Sequence, residues 1–379
     1  MKVGIDASNL RQGGGRTHLV ELLAHGDSHL GRIEEVIVWG SSDTLSKLPR
    51  RDWITPRHEP MLDGSLVQRL LWQETRLVWR ARDVDLVFAP GGVTSPLVRP
   101  RVVMSRNLLP FDERERARYG WSPTRLRLEI LRFGQSQNFV SADGLIFLNE
   151  FARARVTASL SKPPRKVAVI PHGVADRFRH PARVPRPLSE VSSSSPLRVL
   201  YVSSLAPYKH QCAVIEAIAS LRDEIPLELT LVGGSDGSGY ADKVKRSLSD
   251  AVAAGARISY RGQVGFDELD REYVAAELFV FASSCENMPN IMLEAMSSGL
   301  PIACARRGPM PEMLGDAGVY FDPERPEEIA ASLRTLASDT DLRRRCAEIA
   351  VDRVKEFSWC RCARDTFSFL SDVANGKNR

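Results

Sequence analysis

Two carboxylates on one short segment are the residues best suited to chemistry. Residues 283–301 read S-S-C-E-N-M-P-N-I-M-L-E-A-M-S-S-G-L-P. Pro289 suits the first turn of a helix, where its missing N–H costs nothing. Gly299 suits the position beyond a helix end, and Pro301 cannot continue the helix. The spacing predicts a helix over about 289–298, its amino end at the tip of an apolar strand, Leu278–Phe281. Main-chain N–H groups at such an end attract phosphate. A carboxylate beside phosphate is unfavourable unless it is otherwise engaged, and accepting hydrogen bonds from sugar hydroxyls is one such use. Glu286 on the entering loop and Glu294 in the helix are therefore candidates. The alternative for the same pair is a helix-entry charge favoured by the dipole and a solvated face residue.

A second feature is Asn9–Thr17, N-L-R-Q-G-G-G-R-T. Gly13, Gly14 and Gly15 fall between a strand and a helix and let the backbone approach a ligand closely. The spacing is not G-x-G-x-x-G, so a dinucleotide fingerprint is not met, and a plain tight turn fits equally well. The six cysteines show no C-x-x-C pairing, which points to isolated thiols rather than zinc or a disulfide framework.

Short apolar, β-branched runs position these features. In the first half they fall near 2–5, 35–39, 84–88, 101–104, 144–148 and 167–170. In the second half they fall near 198–202, 228–232, 257–260, 278–281, 301–304 and 319–321. Helical patterns fill the gaps, as at 211–221 and 327–336. Strands apolar on both faces and alternating with helices predict buried parallel sheets, doubly wound. Residues 181–196, rich in Pro and Ser, read as a linker. Two α/β halves follow, with ligands expected at the carboxyl ends of their strands, in a cleft between the sheets.

With 379 residues, 43% hydrophobic and 26% charged, the chain has the composition of an ordinary globular protein. No apolar run approaches the roughly 18–20 residues that cross a bilayer, and M-K-V-G-I-D lacks the apolar region of a signal peptide. The expected location is cytoplasmic, or peripheral at the inner face of a membrane. The net charge of +5 is uneven. Residues 1–175 carry 26 basic and 18 acidic side chains, and residues 176–379 carry 26 and 29. The basic half suits phosphates or an anionic membrane surface, whereas no nucleic-acid motif is present. Residues 113–132 mix six arginines, among them Arg114, Arg116, Arg118, Arg125 and Arg127, with Trp121, Leu126, Leu128, Ile130 and Leu131. They read as a membrane-surface or acceptor-binding element, or as an ordinary solvent-facing helix.

The segment E-N-M-P-N-I-M-L-E-A-M-S-S-G-L-P resembles the E-x7-E signature of family-4 retaining glycosyltransferases of GT-B fold, and the resemblance extends over nearly the whole chain. It implies two Rossmann-like, doubly wound parallel-sheet domains facing each other across a cleft. The implied domains are 1–180 on the acceptor side, a linker at 181–196, and 197–356 for the nucleotide sugar. A terminal helix, 357–379, would cross back to the first domain. The resemblance places Glu286 near the donor sugar hydroxyls and Glu294 on the ribose. Asn287 and Met288 stand where relatives often have Gly-Phe, and Pro289 and Asn290 open the helix. Val202–His210, V-S-S-L-A-P-Y-K-H, is similar to the strand-then-Lys pattern that meets the diphosphate. It implies that role for Lys209, with Ser203 and Ser204 as hydroxyl donors; Ser204 replaces the family arginine. Arg261–Phe266, R-G-Q-V-G-F, resembles the turn that holds the base, which implicates Val264 and Gly265. Ile170–Val174, I-P-H-G-V, resembles the strand exit closing the first domain, with His172 as a cleft or a packed residue. Arg106 and Asn107 occupy the region where many relatives place a histidine. The implied activity is metal-independent, retaining transfer of a sugar from a nucleoside diphosphate to a hydroxyl of a glycan, lipid-linked or small-molecule acceptor, with no cofactor. Bacterial surface polysaccharide or glycoconjugate synthesis is the expected setting. The alternatives are an epimerase or hydrolase of the same fold, or a non-catalytic scaffold that binds nucleotide sugar.

Overall fold

A computed structural model describes residues 1–11, 13–27, 29–235, 237 and 239–376. The chain divides into two compact units. The first comprises 1–111, 126–173 and 357–379; the second comprises 112–125 and 174–356.

The first unit is built on seven strands: β1 (Lys2–Asp6), β2 (Glu35–Gly40), β3 (Ile54–His58), β4 (Leu86–Ala89), β5 (Arg101–Met104), β6 (Gly144–Phe147) and β7 (Val167–Val169). Their order is β3-β2-β1-β4-β5-β6-β7, and every pairing is parallel. The second unit holds six: β8 (Leu197–Val202), β9 (Leu227–Val232), β10 (Arg257–Tyr260), β11 (Leu278–Phe281), β12 (Ile302–Ala305) and β13 (Gly318–Phe321). Their order, β10-β9-β8-β11-β12-β13, is again parallel throughout. In both sheets the order reverses once, between β1 and β4 and between β8 and β11. At such switch points the loops leaving neighbouring strands diverge and open a crevice at the carboxyl ends. The central strands β4, β6, β11 and β12 are buried at every residue, as expected of strands covered on both faces.

β3 has no counterpart among the sequence expectations. Its I-T-P-R-H is exposed over three of five residues and contains a proline. Both properties fit an edge strand and hide it from an apolar-run criterion. The stretch 181–196, read as a linker, is not a free tether but is bonded to the second unit. Arg183 N donates to Gly299 O (3.0 Å) and Arg186 Nε to Glu277 Oε1 (2.9 Å). Residues 112–125, expected in the first domain, belong to the second unit: Arg114 and Arg118 are both ion-paired with Glu324. The helix Trp359–Asn375 lies in the first unit and buries Trp359, Phe367, Leu370 and Val373 there. Lys377–Arg379, the end of the expected terminal helix, lie outside the described residues.

Candidate functional site

The second unit concentrates the sequence-derived residues at its switch point. Beyond β8 the chain runs through Ser203 and Ser204 to a short turn, Pro207–Lys209. His210, in the left-handed region at φ 51°, then redirects it into the helix Gln211–Ser220. Gln211 Nε2 donates to Ser203 Oγ and to Ser204 O, both at 2.8 Å, which fixes the first part of the loop. Tyr201 donates its hydroxyl to Lys209 O (2.5 Å), fixing the last part. The loop leaving β9 comes so close that a Cβ on Gly233 would lie 1.9 Å from Ser203 O; with φ 142° the position admits only glycine.

From β11 the neighbouring loop carries Ser284 and Glu286. Ser284 donates N–H (2.8 Å) and hydroxyl (3.2 Å) to Tyr208 O, and its oxygen lies 2.9 Å from His210 Nε2. The two loops are therefore joined, and between them Lys209 Nζ donates to Glu286 Oε1 in an ion pair. The ammonium also lies 5.2 and 5.5 Å from the Tyr208 and Phe281 ring centres. Lys209 and Glu286 keep only 7% and 14% of their side-chain exposure. Removing either charge would leave the other poorly solvated. Burial, then the charge of Arg118, lowers the His210 pKa to about 4, so its ring is neutral at neutral pH.

Pro289 is the cap residue of the helix Asn290–Ser297, and its carbonyl accepts from Met292 N and Leu293 N. The helix starts one residue later than the sequence suggests. The amides of Asn290 and Ile291 remain to be satisfied from outside the helix. Asn287 and Met288 are buried beneath this entrance. Glu294 is not on a solvated face. It is buried and accepts from Tyr273 Oη at 2.9 Å, and burial raises its pKa to about 7 despite that bond. Gly299 (φ 66°) ends the turn, where a Cβ would lie 2.3 Å from Pro181 O. Val264 is half-buried and Gly265 exposed, at the start of the helix Phe266–Ala275 that carries Tyr273. The loop after β12 closes the group: a Cβ on Gly308 would lie 3.8 Å from Glu286 N. Its neighbour Arg307 donates to Asp322 Oδ2 (2.8 Å).

In the first unit, Gly13–Gly15 are not a loop but the first turn of the helix Gly13–Ala24. Their flexibility serves the sharp entry, with Gly13 at φ 64°. Arg106, half-buried, donates to Gly14 O (2.7 Å), and burial lowers its pKa to about 10, leaving it charged. Asn107 is exposed and accepts from Leu109 N (3.1 Å). His172 is a packed residue. It is buried, stacked on Trp359 at 5.5 Å, and donates from Nδ1 to Gly173 O (3.1 Å). Asp6, at the tip of β1, accepts from Ser8 N, Gln73 Nε2 and Thr94 Oγ1 and so ties β1 to the loop after β4.

Sequence reasoning missed Tyr273, His210, Ser284 and Asp6. Tyr273 and His210 carry no spacing signal, because their partners are 21 and 74 residues away. The terminal acid of the first strand was visible, but its ring of donors was not.

Two parallel, doubly wound units, each with a switch point, define the GT-B class of fold. Solved structures agree. Sucrose-phosphate synthase from Thermosynechococcus elongatus superposes with a TM-score of 0.74 over 97% of each chain at 18% identity. The Anabaena protein HepE, in complex with UDP and glucose, does so at 0.72 over 98% of this chain and 99% of its own, also at 18%. Residues 196–339, most of the second unit, match the family model "Glycosyl transferases group 1". The O-antigen chain mannosyltransferase B of Escherichia coli is 25% identical over 355 residues, 91% of this chain and 89% of that one. A D-inositol 3-phosphate glycosyltransferase of Corynebacterium glutamicum is 30% identical over 185 residues, 48% of this chain and 44% of the relative. Over residues 196–339 the chain is thus similar to group 1 glycosyltransferases.

Proposed function

We propose that the protein transfers a sugar, with retention and without a metal, from a nucleoside diphosphate to a hydroxyl of a lipid-linked or glycan acceptor in bacterial surface glycan synthesis. The observation that carries this reading is the Lys209–Glu286 pair at the β8/β11 switch point, beside the amino end of the helix Asn290–Ser297. An incoming diphosphate would take Lys209 from Glu286 and lie against the helix amides, which stabilise charge as it develops on the leaving group. Glu286, released, would accept from sugar hydroxyls. Glu294, ionised on binding, would accept from the ribose. Ser203, Ser204, Asn287 and Met288 would line the diphosphate and sugar, and the Val264–Gly265 main chain would meet the base. Gly13–Gly15, Arg106 and Asn107 would face the acceptor, and His172 would hold their supporting wall. Kinship with the Escherichia coli mannosyltransferase supports a surface-glycan setting, and UDP in the complex of HepE supports a nucleotide-bound donor.

Incubation with UDP-, GDP-, ADP- and dTDP-sugars and lipid-linked acceptors tests the reading. Transfer that survives EDTA and gives a product with the donor's anomeric configuration by NMR is expected. An inverted product, or activity lost to EDTA and restored by Mg²⁺, would refute the corresponding part. Release of free sugar alone would indicate the hydrolase alternative.

A further inference from the structure

Two helices of the first unit present an apolar face that no described residue covers. In Leu66–Glu74, opened by a Ser65 capping box, Leu66, Val67 and Leu71 are between 52% and 65% exposed. In Pro123–Ser141, Leu126, Ile130 and Phe133 are between 63% and 69% exposed. Their spacings of four and three place this second set on one side of its helix. Single exposed leucines are ordinary, but two such sets on neighbouring elements mark an interaction surface.

Both helices are anchored to one loop. Gln73 Nε2 donates to Val93 O (3.1 Å), and Asn138 Oδ1 accepts from Thr94 N (3.1 Å). The apolar positions therefore flank the carboxyl ends of β1 and β4, next to the acceptor-side candidates. Cations accompany them. Arg69 donates to Ser8 O (3.2 Å) and Asn9 Oδ1 (3.4 Å), and Arg11 to Gly64 O (3.2 Å). Among the described residues, these bonds go to carbonyl and amide oxygens rather than to carboxylates. Burial, and then the charges of Arg11 and Arg127, hold the Arg69 pKa below its ordinary value. Arg69 on the first helix and Arg127 beside Leu126 on the second thus add positive charge, with Arg11, to an exposed hydrocarbon surface. That combination is complementary to anionic headgroups over acyl chains. Of the arginines singled out in sequence, Arg127 belongs to this group, whereas Arg114 and Arg118 are committed to Glu324 and Arg116 is buried.

We propose that this face of the first unit docks on an anionic lipid bilayer, presenting the acceptor-side loops to a lipid-linked acceptor; the second clause rests on the function proposed above. Co-sedimentation tests it, using vesicles of equal parts phosphatidylglycerol and phosphatidylcholine and vesicles of phosphatidylcholine alone. The full chain should partition onto the anionic vesicles and come off as salt is raised. Replacing Leu126, Ile130 and Phe133 together by serine should weaken binding at least about tenfold. The double variant Arg11→Gln/Arg127→Gln should weaken it about fivefold per arginine. Both variants should keep the parent's near-UV circular dichroism and Tm, which shows that the first unit folds, and calorimetric binding of the nucleoside diphosphate should be unchanged. Variants that partition like the parent, or a parent that ignores anionic vesicles, would overturn the proposal. So would a dimer that the serine variant dissociates, because a second copy would then own the face. A parent that binds vesicles but transfers nothing to any lipid-linked acceptor would refute the function while leaving the docking intact.

Discussion

At the residue scale, Glu294 is a carboxyl that the folded protein holds at a cost. Its pKa is raised from 4.5 to about 7 by burial. The native state therefore binds more protons than the unfolded chain between these values, and stability falls as pH rises through that window. At pH 8 the loss amounts to as much as about 3 kcal/mol. Glu294→Gln should relieve it, making the free protein more resistant to urea at pH 8 but not at pH 4. The same change should weaken nucleoside diphosphate binding by roughly 1.5–3 kcal/mol, through loss of a charge-assisted bond to the ribose. His210 acts in the opposite direction. Its pKa, lowered to about 4, means that the unfolded chain takes up the proton first, so stability is lost as pH falls below about 6.5. His210→Asn should flatten the acid limb of a urea-midpoint profile, and an unchanged limb would remove His210 as its source. Lys209→Ala should reduce kcat about 10²–10³-fold if the ammonium stabilises the departing diphosphate. A change confined to Tm would reduce Lys209 to a partner of Glu286.

At the element scale, the site depends on close approaches that only glycine permits. Gly233→Ala would place a methyl 1.9 Å from Ser203 O in a backbone conformation that L-residues avoid. The β8 loop would have to move, at a cost of at least about 1–3 kcal/mol. Differential scanning should show a lower Tm together with weaker nucleotide binding; a lower Tm with unchanged affinity would separate that loop from the site. The same elements show what the sequence conveys and what it withholds. Twelve strands were legible because each carries a short apolar run, the edge strands β7, β10 and β13 included. The edge strand β3 was not, because its I-T-P-R-H has no such run and an edge does not require one. Pro289 and Gly299 marked the ends of the carboxylate helix to within a residue, since capping is local chemistry. The Lys209–Glu286 pair joins loops 77 residues apart, and Tyr273 reaches Glu294 across 21. Long-range partners leave no trace in local composition. The same holds for 113–132, read as a membrane-surface or acceptor-binding element or as an ordinary solvent-facing helix: the pairing of Arg114 and Arg118 with Glu324, some 200 residues later, is invisible in local sequence.

At the scale of the whole molecule, chain order and domain membership diverge, because the last helix belongs to the first unit. Deleting residues 357–379 would strip Trp359 and Phe367 from that core, where Trp359 stacks on His172 and Phe367 packs against Trp53. Burial of two such aromatic side chains is worth roughly 3–6 kcal/mol, against a typical total of about 5–15. The truncated chain should lose transfer and lose cooperative unfolding of the first unit. A truncated chain with full turnover would contradict this.

The central claim is that the β8/β11 switch point of the second unit binds a nucleoside diphosphate sugar through Lys209, Glu286 and Glu294. Calorimetric titration of the preferred nucleoside diphosphate into the parent, Glu294→Gln and Lys209→Ala tests it most directly. One site per chain and weaker binding in both variants are expected, with the weakening in Glu294→Gln lost at a pH low enough to protonate Glu294 in the parent. Equal affinities in three folded proteins, or no binding of any nucleotide to the parent, would contradict it.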